Sequence, residues 1–353
     1  MSSFKIISKK PVEKVDCQYE ILISIDKKAV AEFREEALSN ISEGLKIDGF
    51  RPGHVPEKVV TEKFGEVIVT EEAGRLALEK HYADIIKEAD IDAIGNPEVA
   101  INKIVPNETF EVKITTSTHP VVKLTDYKKI SKEIMAKKIG DVEATDKEVE
   151  DAIKELQQQV AHTDFHQKNG DHDKHDHGEL PLPETNEDFI KKFGDFKTFE
   201  EFKNKIRESI KLQKGRKEKE KKRIESIDGI IAKSEIKMPR VLVENEIHRM
   251  ESEMTHQIGQ MGLKVDDYLK HVNKTMSELH KSWEGEAVKR AQTQIVLNEI
   301  ANTEKIKPEE ADVDKEVATI MAQYKDTDKL RAMIFVETML TNEKVWQFLE
   351  GVK

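Results

Sequence analysis

The stretch whose reading decides this chain is Gly49-Phe50-Arg51-Pro52-Gly53-His54-Val55-Pro56. It joins two segments with apolar residues at helical spacing: Val30, Phe33, Ala37, Leu38, Ile41 and Leu45 before it, and Ile68, Leu76, Ile85 and Ile86 after it. A connection between helices needs only a few polar residues. This one holds two glycines and two prolines, with an aromatic and an arginine among them. Glycine admits backbone angles that other residues avoid, and proline fixes φ near about −65°. Phe50 and Arg51 are thereby carried on a short, stiffened loop. Aromatic and arginine side chains are enriched where interfaces concentrate their binding energy. Two readings stand side by side: a rigid docking tip, or a local staple in which Phe50 folds back and Arg51 is merely solvated.

The flanking sequence predicts the frame of that loop. Residues 13–25 alternate, with Val15, Cys17, Tyr19, Ile21, Ile23 and Ile25 on one face, which predicts a half-buried strand partnered by residues 4–9. Cys17 is then expected as a small core residue. Asp26 can cap the helix that follows, and Gly44 helps to end it. Pro56 suits the first turn of a short helix ending near Gly65, and a longer helix is expected over 66–89. Asn96-Pro97 breaks the pattern. Alternating segments over 98–104 and 109–118 read as a hairpin turning through Val105-Pro106-Asn107-Glu108. The order β-β-α-α-α-β-β closes an α+β domain near residue 118.

The segment from Asp48 to Pro56 resembles the G-F-R-x-G-x-x-P signature of bacterial trigger factor, a family of ribosome-associated chaperones. The resemblance implies that residues 1–118 are a ribosome-binding domain, with Gly49, Phe50, Arg51, Pro52, Gly53 and His54 as the contact with the large subunit near the polypeptide exit. It departs from the family at Pro52 and His54, where relatives usually carry lysines. The family also implies a connector, an inserted prolyl isomerase of the FKBP type, and a helical chaperone domain. The connector is expected over 119–160, with a helix around 146–160. Residues 161–178 are a His- and Asp-rich linker where the isomerase would stand, too few and too polar to enclose an aromatic-lined pocket. Resemblance resumes at Glu179-Leu180-Pro181 and at Phe189-Ile190-Lys191-Lys192-Phe193-Gly194.

From Thr198 onward nearly everything reads as helix. Thr198 and Glu201 form a capping box, and Phe199, Phe202, Ile206 and Ile210 a first apolar stripe. Residues 205–223 carry ten Lys or Arg against three Glu, which predicts a solvated helix face laced by i,i+4 pairs. Helices are expected over 241–260, 265–282, 283–303, 309–323 and 327–350. Met250, Met254 and Met261 recur in one helical region, and flexible, polarisable methionine suits surfaces that accommodate varied apolar segments. The alternative is ordinary core filling.

Composition bounds the function. The chain has 353 residues, 36% charged, 37% hydrophobic and 6% aromatic, with net charge −11 and one cysteine. Bulk attraction to nucleic acid is not expected, nor are a disulfide, a secretory signal or a membrane span. The expected location is the cytoplasm. No nucleophile elbow or phosphate-cradling Gly-rich loop is present, and no cofactor is expected. His172, His175 and His177 are weak metal-ligand candidates, since little apolar sequence surrounds them to preorganise a site. The expected architecture is an α+β ribosome-binding domain followed, over 179–353, by an elongated, mostly α-helical chaperone domain with arms that binds substrate. The expected function is an ATP-independent chaperone, not an enzyme. Its partners are the ribosome and nascent or unfolded chains, with a homodimer left open and no membrane. The rivals are a prolyl isomerase and a metal-binding protein using the histidine segment.

Overall fold

The computed structural model describes residues 3–43, 55–106, 108–137, 140, 142–169, 180–324 and 327–352. In chain order it forms strands β1 (Phe4–Pro11) and β2 (Gln18–Ile25), then helices α1 (Lys27–Glu32), α2 (Arg34–Glu43), α3 (Glu57–Phe64) and α4 (Glu66–Glu88). Strands β3 (Ala93–Val105), β4 (Thr109–Thr118) and β5 (Val121–Lys123) follow, then helices α5 (Tyr127–Met135), α6 (Asp146–Asn169), α7 (Glu187–Lys191) and α8 (Phe199–Lys233). Strand β6 (Glu235–Lys237) precedes helices α9 (Arg240–Gln260), α10 (Val265–Val272), α11 (Met276–Glu304), α12 (Glu310–Gln323) and α13 (Lys329–Gly351). The chain forms two units, each built from two segments. One takes Met1–Thr125 with Lys233–Ile306, the other Asp126–Ala232 with Lys307–Lys353.

In the first unit an antiparallel sheet runs in the order β1-β2-β4-β3. Ile21, Ile23 and Ile25 lie opposite Ile114, Val112 and Phe110, so one face of each strand is apolar and buries against α1 and α4. Helix α4 turns Val69, Ala73, Gly74, Ala77, Leu78 and Ile85 inward. Gly74 is needed there, because a Cβ would stand 2.3 Å from the Phe110 ring. Asp26 caps α1 by accepting the N–H of Lys28 at 2.8 Å. The helix expected from there to Gly44 is interrupted at Phe33, which ends α1 and leads into α2.

Several expectations for this unit need correction. Strand β2 starts at Gln18, because an antiparallel neighbour has to be reached by a turn. Val12 N–H closes that turn on the Gln18 carbonyl, and Lys14 and Cys17 take φ of 62° and 56°. Val15 is left exposed, and Cys17 is half-buried at the turn rather than in the core, its Sγ donating to the Lys237 carbonyl at 3.4 Å. Asn96-Pro97 does not break the strand. It falls within a register shift between Ile94 and Glu98 on an edge strand, where a missing N–H removes no ladder bond. Ile68, expected in the buried stripe of α4, is 43% exposed.

Strands β5 and β6 pair antiparallel over three residues each, too short for any periodic signal in the sequence. Helices α9 and α11 pack through Val243, Met250 and Ala287, joined by Ile247 and Trp283. The break expected at 282–283 falls earlier. Asn273 ends α10 in the left-handed region, and Thr275 and Glu278 start α11 with a reciprocal capping box.

In the second unit α6, α7 and α8 share a core of Val149, Ile153, Val160, Phe189, Ile190 and Phe202. Helix α6 continues to Asn169, through half of the stretch read as linker, because Val160 is buried and Asp164 pairs with Lys192 at 2.9 Å. Thr198 caps α8 by accepting the N–H of Glu201 at 3.1 Å. The basic run on α8 is paired differently from expectation. Lys205 pairs locally with Glu208, but most partners are distant in sequence: Arg207 with Asp146, Lys211 with Glu143, Lys214 with Glu148, and Arg223 with both Glu343 and Glu350. Helices α12 and α13 pack through Val313, Val317, Ala332 and Val336.

Candidate functional site

Gly49, Phe50, Arg51, Pro52, Gly53 and His54 lie outside the described residues, as do His172, His175 and His177. The frame that carries the first set is described on both sides. Helix α2 leads into it. Val55 leads out, buried against Leu38, Val60 and Val69, with Pro56 at the N-cap of α3. Arg34, at the first position of α2, reaches across to the starts of both following helices. Its guanidinium donates to Glu57 at 2.8 and 2.9 Å and, through Nη2, to Glu66 at 2.9 Å. One arginine thus ties the origins of α2, α3 and α4 together, in the forked geometry carboxylates favour. The hydrogen bonds from Arg34 hold the Glu66 carboxyl below the usual carboxylate range, against the opposing effect of burial. Asn40 adds a bond from α2 to Glu72 on α4, at 3.0 Å.

The three methionines lie in three environments. Met250 is buried between α9 and α11, Met254 is half-buried, and Met261, closing α9, is 63% exposed. Only Met261 has most of its side chain in solvent. Apolar surface that the sequence reading missed lies elsewhere. On α13, Leu330, Ile334 and Phe335 are each more than half exposed. The available signal was a helix start apolar on nearly every side, Leu330-Arg331-Ala332-Met333-Ile334-Phe335-Val336, where one buried stripe uses only part of the circumference. In the first unit a groove of about 500 Å³ opens between α4 and β3, with Ile68, Val99 and Ile101 exposed along it. Among the described residues no three His, Cys, Asp or Glu side chains are placed to hold a metal ion, and no helix is long and apolar enough to cross a membrane.

Compared with known proteins, residues 8–156 match the family described as bacterial trigger factor protein (TF), and residues 198–350 match its C-terminus. The two matches together span most of the chain. The chain belongs to the trigger factor family. It is 26% identical to the trigger factor of Streptomyces avermitilis, across 77% of this chain and 73% of that one. With the trigger factor of Natranaerobius thermophilus it shares 22% identity over 94% and 91% of the two chains. A solved structure of the trigger factor chaperone, presented for promiscuous substrate recognition in folding and assembly, aligns over 98% of this chain and all of its own. Its TM-score is 0.51 at 16% identity, which carries the fold. Trigger factors are ribosome-associated chaperones, and that coarse assignment comes with membership. Residues 157–197 fall between the two matched regions.

Proposed function

We propose that this chain docks at the polypeptide exit of the large ribosomal subunit through residues 49–54 and holds emerging chains without ATP and without prolyl isomerase activity. The observation that carries the reading is the frame of the docking stretch. Signature residues sit between α2 and α3 in the region matched by the family, and the origins of the flanking helices are fastened by Arg34. Fastened helix origins leave less ordering of this frame to be lost on binding. The missing isomerase is inferred from chain length. Between the two family matches, residues 157–169 continue α6 and residues 187–191 form α7, whose Phe189 and Ile190 are core residues. What remains is too little to enclose a proline pocket.

The test is co-sedimentation with ribosomes. Phe50→Ala combined with Arg51→Ala is expected to abolish association while the melting temperature holds, since each lost anchor removes about 2 kcal/mol or more of binding. Undiminished co-sedimentation of a folded double variant overturns the docking assignment.

A further inference from the structure

We infer that the outer edge of β3, with the groove beside it, takes an extended apolar segment of an unfolded polypeptide by strand addition. The inference rests on the chaperone reading only for the source of the segment. Val99 lies opposite Ile114 and Ile101 opposite Val112 in the sheet register, so all four point to the same, inward face. Ile114 and Val112 are wholly buried, yet Val99 is 48% and Ile101 41% exposed. The inward face of the sheet therefore runs on past the cover of α4. The uncovered strip floors the groove of about 500 Å³, walled by Ile41, Ile68 and Leu78. That volume lies in the range that accepts a ligand of a few side chains.

The strand beside the groove calls for a particular kind of ligand. Among the described residues, no strand pairs with the outer edge of β3, and residues 98–103 are all exposed. An edge strand presents unpaired N–H and C=O groups that an added extended backbone satisfies, while alternate side chains enter the adjoining groove. The helix side of the groove carries Glu71 and Glu72, and its one lining cation, Arg75, is already held by Glu72 and Glu79. A segment with alternating apolar residues and a flanking Lys or Arg is the complement.

A second copy of this chain fits less well. The longest run of β3 in unbroken register is residues 98–101, between a shift at Ile94 and Glu98 and another at Ile101 and Lys103. Pairing over four residues falls far short of the roughly 800 Å² per partner of a stable interface. A short, weak, exchanging contact suits a transient client instead.

The test uses the full chain and a fluorescein-labelled probe peptide, Lys-Val-Thr-Ile-Thr-Val-Lys, titrated by anisotropy. A second probe carries the same side chains with alternate backbone amides N-methylated. The unmodified probe is expected to bind at least tenfold more tightly than the methylated one. Ile101→Lys, which places a charge on the groove floor, and Ile68→Ser, which thins its wall, are each expected to weaken binding tenfold or more with unchanged melting temperatures. Equal binding of the two probes overturns strand addition, and binding indifferent to both substitutions overturns the site. Concentration-dependent dimerisation of the free chain that Ile101→Lys abolishes assigns the edge to a second copy and likewise overturns the proposal. Aggregation suppression by the wild-type chain is measured in parallel. If it is absent while the probe still binds as expected, the chaperone reading fails and the strand-addition site stands.

Discussion

Two residues set how the helices of the first unit pack. Arg34 is about 29% exposed and bonded to two carboxylates, so its removal strands Glu57 and Glu66 beside one another. Arg34→Met is expected to lower the urea midpoint by the equivalent of about 1 kcal/mol, and to weaken ribosome co-sedimentation by loosening the join of α2, α3 and α4. An unchanged midpoint would show that the clamp contributes no net stability. Gly74 is the other. Replacing a helical glycine by alanine ordinarily stabilises by about 1 kcal/mol. Here the new methyl would collide with a Phe110 ring that is 3% exposed and cannot swing into solvent. Overpacking of this kind costs about 1–3 kcal/mol, so Gly74→Ala is expected to lower the melting temperature of the first unit. A rise would show that the core yields easily. Gly74 is visible in the sequence only as a weak point in a helix; its reason is a ring 36 residues away on β4, which no local pattern reveals.

Among the elements, α8 shows how far a linear charge pattern can be read. The basic density was legible, and so was the Thr198 cap. The partners were not, because i,i+4 neighbours are set by helix geometry alone while Glu143, Glu148, Glu343 and Glu350 arrive by folding. Acid should expose this. The hydrogen bonds from Arg223 hold the Glu343 carboxyl below the usual carboxylate range, and those from Lys214 and Thr145 bring Glu148 down to about 2. A group depressed in the folded state adds stability that is present above its unfolded value, roughly 4.3, and is lost as pH falls through its folded value. Urea midpoints measured from about pH 6 to pH 3 should therefore fall with acidification, and the slope should flatten in Arg223→Met. A slope that does not change in the variant would remove Arg223 from the account. The ends of elements were legible where a cap announced them, as at Asp26, Pro56 and Gly65, and missed at Phe33 and at the β1–β2 turn. In that turn the apolar alternation continued through residues whose backbone had to reverse.

For the whole molecule, the expected behaviour is that of a holding chaperone without catalysis. The chain should leave a proline-limited refolding phase of a test protein unaccelerated; that step takes tens of seconds or more uncatalysed, so modest catalysis would be visible. A concentration-dependent acceleration would show that residues 157–197 had been misread. Sequence alone determined what rests on local pattern: the β-β-helices-β-β order of the first region, the helical remainder and the signature stretch 48–56. Each is a matter of periodicity or spacing, which neighbours along the chain decide. The grouping of Met1–Thr125 with Lys233–Ile306 was decided only in three dimensions. So were the pairing of β5 with β6 across more than a hundred residues, the burial of Met250 beside an exposed Met261, and the uncovered strip at Val99 and Ile101. An apolar residue on a strand carries the same signal whether a helix covers it or stops short of it. Coverage depends on where α4 ends up against the sheet, and that is a property of packing between distant segments.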